Sequence, residues 1–206
     1  EYKNFTDFKS KQKINDDNKN YTLMLLGEKY HINNLEASKG KNDIIRMSFH
    51  QKSIEKAMIK AQKIIDKGYK LFLQPTVTMN YEKEDLIKLL KKCNDIKPFA
   101  VAIVDTFGQM QPSDVKMLAS IYDEYLNKDI SIGFHAHNNL QNAFLNAITF
   151  INNTKRDIII DSSICGMGRG AGNLPTELLI NYLNVNYEKN YKLDSLLEVS
   201  DNIIEK

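Results

Sequence analysis

A chain of 206 residues, 42% hydrophobic and 26% charged, is long enough for one sizeable core or at most two small ones, and its composition argues against disorder. Lys and Arg total 28 against 26 Asp and Glu, a net charge of +2, too balanced to make nucleic acid or an anionic membrane surface the main partner. No apolar run approaches the roughly 18–20 residues of a membrane span, and Cys93 and Cys165 stand in no paired spacing; neither a disulfide framework nor a thiolate zinc cage is indicated, and a soluble protein in a reducing, cytoplasmic setting fits best.

The chain opens on Glu1 and a polar stretch, so it is expected to be a piece of something longer. Residues 1–20, rich in Lys, Asn and Asp with only Tyr2, Phe5, Phe8 and Ile14 as sizeable apolar anchors, read as a polar loop, linker or weak helix. From Tyr21 onward, short apolar runs alternate with segments of helical spacing. The first two runs are YTLMLLG (21–27) and IIRMSF (44–49). Behind Ser53, a candidate N-cap, Ile54, Met58, Ala61 and Ile65 recur at helical spacing, and Gly68 is the expected stop. YKLFLQP (69–75) comes next, then a helix over 83–93 with Leu86, Leu89 and Leu90 on one face. FAVAIVDT (99–106) precedes a helix over 112–126, behind Ser113, with Val115, Leu118, Ala119 and Tyr122 inward. ISIGFHAH (130–137), a helix over 140–151, IIIDSSICG (158–166) and a helix over 176–183 complete the series.

Strict strand–helix alternation, with strands buried on both sides, implies an α/β fold whose parallel sheet is covered by helices. The six strand signals recur at roughly the unit length of a TIM barrel, in which eight βα units fill about 250 residues. Six units do not close such a barrel, and on this count alone an open doubly wound sheet is equally compatible. Neither of that sheet's usual phosphate devices occurs: no GxGxxG follows the first strand, and there is no GxxxxGK[ST].

Two of the 4 histidines stand in the stretch from Gly133 to Asn139, GFHAHNN, at the C-terminal end of the fifth run. Side chains two apart on a strand share a face, so His135 and His137 can converge on one divalent ion; the competing reading is a pair of buried histidines satisfied by backbone carbonyls. Two imidazoles without thiolates suit Mn²⁺, Mg²⁺, Zn²⁺ or Fe²⁺. Asn173, closing the glycine-rich stretch that begins at Gly166, is a candidate third ligand or simply the cap of the helix that follows. Asp105 ends a buried run, where it can meet water or metal or else form a turn, and Thr106 with Gly108 offers a hydroxyl beside a backbone N–H for a carboxylate or carbonyl. Arg46 inside IIRMSF needs an anion or a barrel interior to justify it, an internal salt bridge being the competing reading, and Ser48 and His50 share its face. Asp161 is a candidate orienting partner for a histidine or for Arg46. Cys165 has no adjacent base and reads as a small buried residue, and no nucleophilic triad is visible.

Taken together and in order, VDTFGQMQPSDV, GFHAHNNLQNA and DSSICGMGRGAGNLPTE resemble the second half of the hydroxymethylglutaryl-CoA-lyase-like (DRE-TIM) metallolyase superfamily of TIM barrels, most closely its 4-hydroxy-2-oxovalerate aldolase-like branch. The resemblance runs from about residue 21 to about residue 183 and implies a TIM (β/α)8 barrel present as about six units, strands three to eight, so that 21–206 is a partial catalytic domain and 1–20 follows a missing second strand. It implies that His135, His137 and Asn173 are metal ligands, Mn²⁺ first, and that Thr106 helps to hold the oxo acid; the reading of the residues themselves adds Arg46 and Asp105 as further substrate-binding candidates. The superfamily's first-strand Asp-Arg pair, a metal ligand and a carbonyl-polarising arginine, occurs nowhere in this sequence, and the lyase's catalytic cysteine position carries no Cys. The activity implied is metal-dependent cleavage of 4-hydroxy-2-oxo acids to pyruvate and an aldehyde, with this fragment alone inactive. The general base is unassigned, His50 being a weak candidate beside a metal-bound water or a residue outside this chain. The alternatives are an acyl-CoA-dependent synthase of the isopropylmalate or homocitrate type and a metal-binding module without catalysis. The partner is a small 2-oxo acid, and an exposed barrel edge favours a homo-oligomer.

Overall fold

The computed structural model describes residues 21–40 and 43–203; the loop, linker or helix expected at 1–20 lies outside them. All six expected strands are present: β1 (Thr22–Leu26), β2 (Ile44–Phe49), β3 (Lys70–Pro75), β4 (Ala100–Asp105), β5 (Ser131–Ala136) and β6 (Ile158–Asp161). They form one sheet in the order β1-β2-β3-β4-β5-β6, with parallel pairing that sets Arg46 beside Met24 on one side and Phe72 on the other. Neighbours in sequence being neighbours in the sheet is the order of consecutive barrel strands, whereas a doubly wound sheet reverses direction at a switch point.

Five helices fall where periodicity placed them: α1 (Ile54–Asp66), α2 (Lys83–Ile96), α3 (Pro112–Tyr125), α4 (Ala143–Asn153) and α5 (Thr176–Tyr187). Gly68 ends the first as expected, at φ +84°, its N–H donating to the Ile65 carbonyl. Ser53 holds the N-cap position without bonding the helix backbone; its hydroxyl goes to Glu28 instead. The buried stripe of α1 is Ala57, Met58, Ala61 and Ile64, turned from the expected stripe because Ile54 and Ile65 are only half-buried. α4 starts later than expected because Gln141, at φ +59°, keeps 138–142 in a turn, and the Asn138 side chain receives the Ala143 N–H. A sixth helix, α6 (Leu193–Ile203), was not expected, although Leu193, Leu196 and Leu197 recur at helical spacing.

Two expectations are corrected. The alternation is not strict, because the link between β1 and β2 carries only a 3-10 turn at Ile32–Asn34 in place of an α-helix. Burial on both faces is complete only for β4 and nearly so for β3; β1, at the sheet edge, exposes Met24 and Leu26.

The chain divides into two compact units. The first comprises the described residues up to Thr76 with Asn80–Ala102 and Tyr122–Ile132; the second comprises Val77–Met79, Ile103–Ile121 and Gly133 onward. In the first, α1 packs on β2, β3 and α2, burying Ile45, Met47, Ile64, Leu71, Leu73 and Leu89, each contributing about 1.5–3 kcal/mol. In the second, Phe134 of β5 stacks on Phe150 of α4 with ring centroids 5.3 Å apart.

Candidate active site

The second unit gathers most of the residues singled out in the sequence. His135, on β5, places Nδ1 2.9 Å from Oδ2 of Asp161, the last residue of β6. His137, just beyond β5, directs Nδ1 to the backbone carbonyl of Asp105 at 3.0 Å. In both rings an oxygen acceptor therefore fixes the proton on Nδ1 and leaves Nε2 as a lone-pair donor, the second-sphere arrangement typical of metal-binding histidines. The rings stand edge to face with centroids 5.0 Å apart. No hydrogen bond reaches either Nε2 among the described residues.

The glycine-rich loop delivers Asn173 to the same place. Residues 137 and 173 form an isolated antiparallel bridge, and the Asn138 N–H donates to the Gly172 carbonyl at 2.8 Å. The Asn173 amide nitrogen donates to the Met167 carbonyl at 2.9 Å, while its Oδ1 is buried and accepts no hydrogen bond among the described residues. A buried amide oxygen without a donor is costly unless something electropositive meets it. Gly168 permits this seat, since a Cβ there would fall 2.5 Å from the Asn173 side chain. Two imidazole nitrogens and one amide oxygen fit a borderline divalent cation. Among the described residues no three His, Cys, Asp or Glu side chains are grouped so as to hold an ion.

Asp105 is 2% exposed and spends its carboxylate on the loop that follows, accepting the N–H groups of Gln109 (3.0 Å) and Met110 (3.1 Å). Burial raises its carboxyl above the usual range, against the lowering pull of those N–H groups and of His137. Its carbonyl holds His137 as well, so it organises the site from both ends. Thr106 Oγ1 accepts the Val77 N–H at 2.7 Å, which leaves the hydroxyl proton available to a ligand oxygen. Gly108, at φ +60°, lies under the histidine loop; a Cβ there would come within 2.6 Å of the Asn139 nitrogen.

Cys165 is not buried as expected: it is exposed, at φ +51°, with its N–H on Glu177 and its Sγ 2.7 Å from Ser200 Oγ. α6, unforeseen in the sequence, brings Ser200 to it.

The remaining candidates belong to the first unit. Arg46 donates through Nε and Nη2 to the side-chain oxygen of Gln74, with the amide oriented to face it, and its Cζ lies 4.4 Å over the Phe72 ring. Ser48 Oγ lies 3.5 Å from the Leu25 carbonyl. His50 is exposed, with Nδ1 2.7 Å from Thr76 Oγ1 and its N–H on Glu28. Sequence reasoning missed Gln74 and Thr76. The first was detectable, as an amide in an otherwise apolar run; nothing marked the second.

A family model described as HMGL-like matches residues 37–203. The chain is 33% identical over 105 residues to the 4-hydroxy-2-oxovalerate aldolase of Marinomonas sp. (strain MWYL1), covering 50% of this chain and 30% of that protein. It is 31% identical over 140 residues to the oxaloacetate decarboxylase of Mycobacterium tuberculosis (strain ATCC 25618 / H37Rv), covering 67% of this chain and 40% of that protein. The N-terminal domain of a Bacteroides vulgatus protein assigned as an aldolase superimposes with a TM-score of 0.76 at 28% identity, over 91% of this chain and 64% of that one. The chain thus spans less than half the length of the curated relatives it matches.

Proposed function

The chain belongs to the HMGL-like family, and we propose that the protein containing it is a divalent-metal-dependent aldolase that cleaves a 4-hydroxy-2-oxo acid to pyruvate and an aldehyde. The observation that carries the reading is the donor set itself: two imidazoles with Nδ1 anchored on Asp161 and Asp105, beside a buried amide oxygen of Asn173 that has no hydrogen-bond partner among the described residues. His135, His137 and Asn173 would hold the ion, Mn²⁺ in the first instance, with Mg²⁺, Zn²⁺ and Fe²⁺ as alternatives. A divalent ion bound there supplies Lewis-acid stabilisation of the negative charge that develops on the keto oxygen when the C–C bond breaks. Asp161 keeps the His135 ring in one tautomer and orientation, and the Asp105 carbonyl does the same for His137. The Thr106 hydroxyl, fixed by the Val77 N–H, donates to a carboxylate oxygen of the oxo acid. From the sequence, Arg46 and His50 are carried as candidates for anion binding and for the base that takes the 4-hydroxyl proton; within the first unit Arg46 is held by Gln74 and Phe72, and His50 by Thr76. Self-association of the chain by itself is part of the proposal, supported by the edge position of β1 among the described residues, with Met24 and Leu26 exposed.

A second reading has one specific support, the resemblance to an oxaloacetate decarboxylase over 67% of the chain. Decarboxylation and retro-aldol cleavage place negative charge on the same oxo-acid oxygen, so one site serves either. The test is to supply the full gene product and Mn²⁺ with 4-hydroxy-2-oxopentanoate, oxaloacetate, or a 2-oxo acid plus acetyl-CoA, following pyruvate, carbon dioxide and free thiol. Pyruvate together with aldehyde from the first supports the aldolase. Turnover of only the second or third would replace it with the decarboxylase or the synthase, and turnover of none would leave a metal-binding module.

A further inference from the structure

The missing helix between β1 and β2 leaves a cavity of about 310 Å³, wholly within the first unit, between that link and the outer side of α1. Its volume lies at the lower end of small-molecule sites, which span roughly 300–1,000 Å³. The charge around it is one-sided. Lys56, Lys60 and Lys63 succeed one another at i, i+4 and i+7 on α1, the link adds His31, and no carboxylate is among the lining residues. Like charges at that spacing repel, so three in one stripe raise the energy of the empty cavity.

The lysines are not equivalent. Lys60 is half-buried and braces the link, donating to the carbonyls of Gly27 and Tyr30. Lys56 and Lys63 form no ion pair among the described residues and stand at the rim. Between them Ile59 is 62% exposed, and Ile32 and the ring of Tyr30 complete an apolar floor. Glu55, which precedes Lys56 along the chain, is paired with Lys92, and Glu28 lines a smaller neighbouring cavity together with Lys56 and Lys60, its carboxylate accepting the His50 N–H. A fixed cation behind, two free cations at the rim and an apolar floor between them complement a compact dianion attached to a flat or apolar body.

We propose that this cavity is a binding site for a small phosphate ester of about mononucleotide size, the phosphate held by Lys56 and Lys63 and the body lying on Tyr30, Ile32 and Ile59. It is independent of the reaction proposed above. The test is calorimetric titration of the chain with AMP and, separately, with adenosine. AMP is expected to bind at one site per chain, and adenosine at least tenfold more weakly. Lys56→Glu and Lys63→Glu are each expected to weaken AMP at least fivefold with an unchanged far-UV circular dichroism spectrum, while Lys116→Glu, on α3, leaves it unchanged. No AMP binding at millimolar concentration, equal binding of adenosine, or equal loss in all three variants would overturn the proposal.

Discussion

Asp161, the last residue of β6, holds Nδ1 of His135 at 2.9 Å. The two lie on strands adjacent in the sheet, and their side chains are only 13% and 24% exposed, so the contact is shielded from competing water. A carboxylate at that distance keeps the proton on Nδ1, turns Nε2 outward and makes the ring a more basic ligand.

Replacing Asp161 with Ala is therefore expected to lower divalent-metal affinity by roughly ten- to a hundredfold while the chain stays folded. Titration of Mn²⁺ followed by electron paramagnetic resonance measures this directly; affinity within a factor of three of the parent would show that the ring needs no such partner.

Gly108 supports the other histidine. Gly108→Ala would set a methyl 2.6 Å from the Asn139 nitrogen at φ +60°, so a loss of about 1–3 kcal/mol in urea unfolding is expected, with weakened metal binding alongside. An unchanged denaturation midpoint would mean that the histidine loop shifts freely.

The strands and the site's imidazoles were legible in the sequence because each obeys a local rule: apolar runs of strand length, and His-x-His at a strand end. Asp161 announced itself as an acid in an apolar run. The missing helix after β1 was not legible, because the alternation was carried across a stretch that has no apolar stripe of its own. The exposed Cys165 escaped for a related reason: it sits at φ +51° just before the glycine-rich loop, a backbone conformation that composition does not reveal. Gln74 shows the limit of reading one strand at a time, since its partner Arg46 lies on the neighbouring strand.

That pairing gives a third expectation. Gln74 is 2% exposed, and Gln74→Leu removes the acceptor facing the Arg46 guanidinium, at a cost of roughly 1–3 kcal/mol, readable as a lowered urea midpoint. If Gln74→Glu restores stability and Gln74→Leu does not, the effect lies in the hydrogen bonds; equal loss in both would assign it to packing.

The 2 cysteines should separate chemically. Burial pushes the Cys93 thiol up to about 12, whereas Cys165 is exposed. Iodoacetamide at pH near 8 should modify Cys165 alone in the native chain and both in denaturant, as read by peptide mass spectrometry. Native modification of Cys93 would contradict the packing of α2.

The most direct test of the account is metal content. After loading with Mn²⁺ and exhaustive dialysis, the parent protein should retain close to one ion per chain by elemental analysis, and the double variant His135→Ala/His137→Ala essentially none, with matching circular dichroism spectra. Equal metal in the two proteins would contradict the assignment of His135, His137 and Asn173 as the ligands.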